Sequence, residues 1–84
     1  MNKQKAQRIH AKRRAYERYG LQLNKASYQD IVKLIQIGQT VCVERQSSRI
    51  SVHELVYQGA KMRVVYDKTR KTIATFLPGD DQIL

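Results

Sequence analysis

The chain has 84 residues, 42 % of them hydrophobic, and carries 16 Lys and Arg against 7 Asp and Glu, a formal net charge of +9. This length allows one domain with a modest core, and the single cysteine excludes an intrachain disulfide and a cysteine-rich zinc site. No apolar run approaches the roughly 18 residues of a membrane span, and the N-terminus lacks the apolar stretch of a secretory signal. The sequence predicts one cytoplasmic domain over residues 1–84, without membrane association, whose charge favours a polyanion such as nucleic acid.

The positive charge is concentrated at the start of the chain. Residues 1–18 contain seven cations and one acid, whereas the remaining 66 residues contain nine cations and six acids. Lys, Arg, Gln and Ala are good helix formers, and Gly20 can end a helix in the left-handed conformation. We expect a basic helix over 4–19 that docks through one narrow stripe and leaves its basic faces free.

A second helix is predicted over 27–37. Ser27 and Asp30 resemble a capping box with Asp in the role of Glu, and Gly38 ends the segment. Between them, apolar residues recur at helical spacing at Ile31, Leu34 and Ile35.

After Gly38 the hydrophobic period changes to two, which is typical of strands. Val41 and Val43 alternate with Cys42 and Glu44, so Cys42 is interpreted as a small strand residue among buried valines. Further alternating segments follow over 50–57, 62–67 and 72–77, with a tight turn at Gln58-Gly59. The meander spans 40–77 and a short tail 78–84 follows. The predicted fold is α+β, two N-terminal helices followed by a four-stranded antiparallel sheet with one face free.

The first helix carries the first candidate site. His10, Arg14 and Arg18 lie at i, i+4 and i+8, so each step advances about 40° around the helix and the three groups could share one anion. Arginine suits phosphate because its planar fork donates two parallel hydrogen bonds. Lys12 and Arg13 are further RNA-binding candidates. The alternative is a solvated basic face.

A second candidate site surrounds the polar loop between the first two strands. Arg45, Arg49 and His53 flank this loop, which carries Ser48. Loops that join strands often carry binding groups. His53 could equally be a partly exposed strand residue paired with Glu54 or a cross-strand acid.

Two residues on the predicted later strands complete the candidate set. Arg63 shares a strand face with Lys61 and is a further RNA-binding candidate. Thr75 lies among apolar neighbours, where a hydroxyl is more often a cross-strand partner than a phosphate ligand.

Several classes of enzyme are excluded by motifs that the sequence lacks. It has no Gly-rich phosphate loop, no paired Cys or His at metal spacing, no serine nucleophile elbow and no carboxylate cluster for two metals. RNA cleavage needs none of these, because the 2′-hydroxyl is the nucleophile and a general base, a general acid and cations suffice. Histidine fits proton transfer because its ordinary pKa lies near neutrality.

Two segments of the sequence resemble the small metal-independent ribonuclease superfamily of barnase, EndoU, colicin-type tRNases and RelE toxins (the BECR fold). They are HAKRRAYERYGL at 10–21, which contains His-x-x-x-Arg-x-x-x-Arg-x-Gly, and MRVVYDKTRKTIATFLP at 62–78. With the order of the elements, the resemblance covers nearly the whole chain.

The resemblance implies a toxin-like endoribonuclease that needs no metal or cofactor, cleaves tRNA or mRNA and leaves a 2′,3′-cyclic phosphate. His10 and Arg14 match the helix motif of the superfamily, and Thr75 matches the hydroxyl of its final strand. Arg49 and His53 fall where such proteins often place further active-site groups. The resemblance therefore implies a catalytic set formed by these five residues.

Two other classes of function stay open. One is a non-catalytic RNA-binding or ribosome-binding protein, which a phage could encode. The other is an interaction protein whose basic helix docks on an acidic partner, such as an antitoxin, immunity or inhibitor protein. Convergence of the five catalytic candidates would favour a nuclease, whereas a His10 stripe that points away from the sheet and the hairpin would favour binding.

Overall fold

The computed structural model describes the backbone of residues 3–77 and the side chains of residues 6–77, so the predicted tail 78–84 lies outside the described residues. Two helices precede one antiparallel sheet, and the predicted α+β fold is confirmed. No helix in this part of the chain is long and apolar enough to cross a membrane. The elements are α1 (Lys3–Tyr19), α2 (Lys25–Gln36), β1 (Val41–Arg45), β2 (Ile50–Tyr57), β3 (Ala60–Asp67) and β4 (Thr72–Leu77).

Helix α1 docks through two alanines. Ala11 and Ala15 are fully buried, whereas Ile9 and Tyr16 on the other side of the helix are exposed. Because alanine side chains are short, α1 packs closely along β4 and its charged faces stay in solvent. The helix ends at Gly20, whose φ of 65° is the left-handed conformation expected for its C-cap.

Hydrogen bonds fix α1 along β4 at both ends of the strand. Near the start of β4, Gln7 Nε2 donates to Asp67 Oδ2 at 3.2 Å. Near its end, Arg18 Nε donates to the carbonyl of Phe76 at 3.1 Å, and the Tyr19 hydroxyl donates to the carbonyl of Leu77. The helix therefore runs in the same direction as β4.

The capping box of α2 starts three residues earlier than predicted. Asn24 is the N-cap, and its Oδ1 accepts from the Ser27 N–H at 2.8 Å. Ser27 Oγ in turn accepts from the Asn24 N–H at 2.9 Å, so Ser27 occupies the third helical position. The prediction of a Ser27–Asp30 box is wrong because asparagine caps a helix as well as serine does. Asp30 instead accepts from the Tyr57 hydroxyl at 3.0 Å.

The sheet has the order β1-β2-β3-β4, with every neighbouring pair antiparallel. Gln58 and Gly59 have φ angles of 52° and 79°, as a two-residue type I′ hairpin turn requires, so the predicted tight turn is confirmed. Both helices cover the same face of the sheet. One cluster of buried side chains joins them to the strands, and it includes Ala11, Ala15, Ile31, Ile35, Leu55, Met62, Val64 and Phe76.

Strand β1 lies at the edge of the sheet, outside the area that the helices cover. All five of its residues are exposed, and Val41 and Val43 are 63 % and 41 % exposed. The ladder to β2 is also irregular between Cys42 and Glu44. The interpretation of Cys42 as a residue among buried valines is therefore wrong. Alternation in the sequence does not distinguish a covered strand from an uncovered edge strand.

Candidate nucleic-acid interface

The stripe of His10, Arg14 and Arg18 lies on the flank of α1 that faces away from α2. Arg8 marks the flank next to α2, because its guanidinium lies 5.5 Å from the centre of the Tyr28 ring. His10 is exposed, and two residues of helix place it about 200° around the axis from Arg8. His10 therefore points away from α2, whereas Arg18, at the end of the stripe, contacts β4.

The two arginines of this stripe already have partners. Arg14 Nη1 lies 2.8 Å from Glu17 Oε1 on the same helix. Arg18 Nε donates a hydrogen bond to the backbone carbonyl of Phe76. The stripe is thus partly neutralised and partly used to attach α1 to β4.

His53 lies on the helix-covered face of β2, and both of its ring nitrogens contact hydroxyl groups. Thr40 Oγ1 is 3.0 Å from Nδ1, and Ser51 Oγ is 2.8 Å from Nε2. The ring of Tyr66 packs against the imidazole edge to face. Burial and the nearby positive charge of Arg45 lower the pKa of His53 below its ordinary value of 6.5.

Thr75 lies on the opposite face of the sheet from His53. In the sheet register, His53 and Phe76 both pair with Val64, whereas Thr75 pairs with Val65 one residue further along β3. Neighbouring residues of a strand point to opposite faces. His10 therefore lies on the flank of α1 away from α2, His53 on the helix-covered face, and Thr75 on the face without helices. We call this last face the open face, although Val52 and Val65 on it are buried. The three residues do not form one catalytic centre. Thr75 Oγ1 and Arg18 Nε do share the carbonyl oxygen of Phe76 as acceptor, at 3.5 Å and 3.1 Å, but no contact of the described residues brings His53 to them, and RNA cleavage remains a prediction.

Arg63 lies on the open face with its charge compensated. It contacts the Glu54 carboxylate through Nη2, and Lys61 Nζ lies 3.9 Å from the other oxygen of the same carboxylate. Lys61 and Arg63 share a strand face as expected. The acid between them makes this face less attractive to phosphate than an uncompensated one.

The structure brings Arg45, Ser48 and Arg49 together at one end of the sheet. They line a cleft of about 50 Å³, called the hairpin cleft below. Lys68, which follows β3, and Ser51, which contacts His53, also line it, and neither was predicted. Lys68 is 19 residues from Arg49 in sequence, and only the register of β2 with β3 brings them together. The described residues that line it are Arg45, Ser47, Ser48, Arg49, Ile50, Ser51 and Lys68.

A larger depression follows the flank of α1 that faces α2 and the loop into α2. It consists of two adjoining hollows of about 470 Å³ and 530 Å³, which share Lys12, Leu23 and Asn24. We call it the α1 groove. Its basic side chains are Arg8, Lys12, Arg13 and Lys25, and its apolar and aromatic ones are Ile9, Tyr16, Leu21, Leu23 and Tyr28.

Among the described residues, no acid is paired with the cations of the α1 groove. No acidic side chain lines either hollow. Among residues 6–77, whose side chains are described, none of the four groove cations takes part in an ion pair. Tyr16 is 61 % exposed and presents an aromatic ring beside Lys12 and Arg13. The groove therefore offers positive charge, apolar surface and an accessible ring at one place.

The prediction for the first helix identified Lys12 and Arg13 but missed Arg8, Tyr16, Lys25 and Tyr28. Tyr16 lies four residues after Lys12, so the two share a helix face. That spacing was the available signal in the sequence. Lys25 and Tyr28 belong to the groove only because the loop between the helices folds back on α1, and no local pattern indicates that fold.

Comparison with known proteins yields no match, whether with protein families, with curated proteins or with solved structures. The resemblance to the metal-independent ribonucleases therefore gains no support from these comparisons.

Proposed function

We propose that the protein binds single-stranded RNA in the α1 groove without cleaving it. The observation that carries this proposal is the groove itself, where four cations without described ion-pair partners accompany the exposed ring of Tyr16, while the ring of Tyr28 already has the Arg8 guanidinium over its face. Proteins that bind single strands combine positive charge along the backbone with aromatic rings on which bases stack. The groove supplies both.

The shape of the groove favours a single strand over a duplex. Its two hollows adjoin along one side of α1, so a strand could stack one base on Tyr16 while Lys12, which lines both hollows, holds the neighbouring phosphate. Stacking is tolerant of sequence because every base has a π-face. We therefore expect broad specificity with a modest preference for strongly stacking bases.

Binding without cleavage is the better-supported alternative because the catalytic candidates are dispersed. A metal-free cleavage needs a general base and a general acid on either side of one phosphate. His53 has a hydroxyl at each nitrogen, and His10 lies on a different surface. The cytoplasmic location is part of the same proposal, since the lone Cys42 cannot form an intrachain disulfide.

Fluorescence anisotropy with a labelled single-stranded RNA tests the proposal. Tyr16→Ala should weaken binding by about 1–3 kcal/mol, the range for loss of one stacked base. Lys12→Gln should weaken binding and reduce the slope of log K against log salt by about 0.7, the value for one phosphate contact on a single strand.

The matched control is Lys61→Gln, which removes the same charge from the open face of the sheet. It should bind RNA almost as the wild-type protein does. Equal weakening in Lys12→Gln and Lys61→Gln would mean that only net charge matters. That outcome, like no binding at low salt, contradicts the proposal.

A further inference from the structure

The hairpin cleft is a second concentration of positive charge, at a different place from the α1 groove. Arg45, Arg49 and Lys68 line it together with serine hydroxyls. We propose that this cleft is a separate binding site for one phosphate group, whether free phosphate or the terminal phosphate of an oligonucleotide. This proposal does not depend on RNA binding in the α1 groove.

The acid that pairs with a cation of the cleft, Asp67, leaves the positive charge of the cleft in excess. Asp67 is fully buried, and its Oδ2 accepts from Arg70 Nη1 at 2.8 Å. Arg49 Nε forms an ion pair with the other carboxylate oxygen at 3.8 Å, which is too long for a hydrogen bond. The guanidinium of Arg49 can therefore still donate to an anion, with Arg45 and Lys68 beside it.

The loops that carry these cations are held by hydrogen bonds. Ser47 Oγ accepts from the N–H groups of Arg49 and Ile50 at 3.2 Å and 3.0 Å. The Lys68 N–H donates to the Arg49 carbonyl at 2.8 Å, which joins the two turns at this end of the sheet. A preformed arrangement of donors reduces the ordering cost of binding.

The size of the cleft fits a single small anion. Its volume of about 50 Å³ is several times the roughly 10–15 Å³ that one water molecule requires, and it is about a tenth of either hollow of the α1 groove. A nucleobase or a peptide helix would not enter it. Two arginine forks and serine hydroxyls match the tetrahedrally arranged oxygens of phosphate.

His53 reports on the occupancy of this site through Ser51. Ser51 Oγ lies 2.8 Å from His53 Nε2, and Ser51 also lines the cleft. If the Ser51 hydroxyl donates to phosphate, its oxygen must accept from an Nε2–H. Phosphate binding should therefore shift the imidazole towards the tautomer protonated at Nε2. The groups that face the ring are Thr40, Ser51, Tyr66 and Arg45.

Titration with inorganic phosphate, followed by NMR at constant ionic strength, tests the site. The amides of the hairpin cleft and the His53 ring nitrogens should shift together along one saturable curve. Arg45→Gln and Lys68→Gln should each weaken binding about tenfold, the effect of losing one charge-assisted hydrogen bond. Ser51→Ala should leave the amide shifts saturable but uncouple them from the His53 ring.

Lys71→Gln is the matched control, because Lys71 belongs to the same β3–β4 turn as Lys68 and does not line the cleft. Its affinity should stay within about twofold of the wild-type value, since only long-range charge is lost. Shifts that never saturate overturn the proposal. Equal weakening in Lys68→Gln and Lys71→Gln also overturns it.

A second arm identifies the source of the phosphate and separates this site from the α1 groove. It compares 5′-phosphorylated and 5′-hydroxyl oligonucleotides of one sequence in the Lys12→Gln, Tyr16→Ala variant. Tighter binding of the phosphorylated form, lost in Lys68→Gln, supports a terminal phosphate. Equal binding of both forms, with saturable binding of inorganic phosphate, supports free phosphate as the ligand.

Discussion

Ser51 Oγ and His53 Nε2 lie 2.8 Å apart on β2, and Thr40 Oγ1 lies 3.0 Å from Nδ1 of the same ring. One side chain is thus bonded at both nitrogens within a partly buried network. Because one imidazole nitrogen donates and the other accepts in the neutral form, the two hydroxyls satisfy the ring without a charge. This relationship explains why His53 fits a neutral, structural role better than that of a general base at an RNA phosphate.

The stability of the protein should fall as His53 becomes protonated. Burial and Arg45 lower the pKa of His53. Just below pH 6.5 the imidazole is therefore protonated in the unfolded chain but still neutral in the folded one. The stabilising contribution is therefore complete above pH 6.5 and is lost as the pH falls towards the lowered folded pKa. Chemical denaturation between pH 8 and pH 5 measures this loss.

His53→Gln should remove this part of the pH dependence. The control is His10→Gln, which removes an exposed imidazole and leaves the Thr40–His53–Ser51 network intact, so it should keep the pH dependence. If His53→Gln retains the wild-type slope between pH 6.5 and pH 5, the lowered pKa is contradicted.

Asp67, at the end of β3, should contribute strongly to the free energy of unfolding. Burial opposes its ionisation, but hydrogen bonds from the Arg70 side chain and backbone and from Gln7 outweigh that effect and lower its pKa. Its contribution is therefore present above its ordinary pKa of 3.8 and is lost as the pH falls through the lowered folded value. Asp67→Asn should destabilise the protein by about 2–3 kcal/mol at neutral pH, as loss of a charge-assisted hydrogen bond does.

Urea denaturation of Asp67→Asn beside Asp30→Asn measures this effect. Asp30 is exposed and accepts one hydrogen bond from Tyr57, so the same substitution there should cost less than about 1 kcal/mol. Similar losses in the two variants would show that the links from Asp67 to α1 and to the β3–β4 turn add little stability.

The protein should leave RNA intact. His10 and His53, the two candidates for proton transfer, lie at different places in the fold, so no general acid and base flank one phosphate. Incubation with total RNA in EDTA, followed by gel analysis, should give no new products. Cleavage that is retained by the wild-type protein and abolished in His10→Ala, His53→Ala would restore the ribonuclease prediction.

Local patterns in the sequence predicted the fold well because each element carries its own signal. Gly20 and the Gln58-Gly59 turn adopt the positive φ angles that their positions require, and the alternation over 50–57 gives β2 its covered and open faces. The prediction failed at β1, whose alternating valines are exposed. Burial depends on where the helices pack, and β1 lies beyond them.

The candidate sites could be predicted only where their residues are close in sequence. Arg45, Ser48 and Arg49 belong to one hairpin, and they do line one cleft. Lys68 joins them through the pairing of β2 with β3, and Lys25 joins Lys12 through the path of a loop. The spacing of His10, Arg14 and Arg18 predicts that they share a helix face, but it does not show which face of α1 packs on the sheet. In the structure, the packed face is the one that carries Ala11 and Ala15.

The location of bound RNA tests the central claim most directly, and amide chemical-shift mapping with a single-stranded oligoribonucleotide measures it. We expect the largest changes at residues 8–16 and 21–29, along the α1 groove, with smaller ones at the hairpin cleft. Largest changes on the open face around Glu54 and Arg63, or a titration without saturable changes, would contradict RNA binding in the α1 groove.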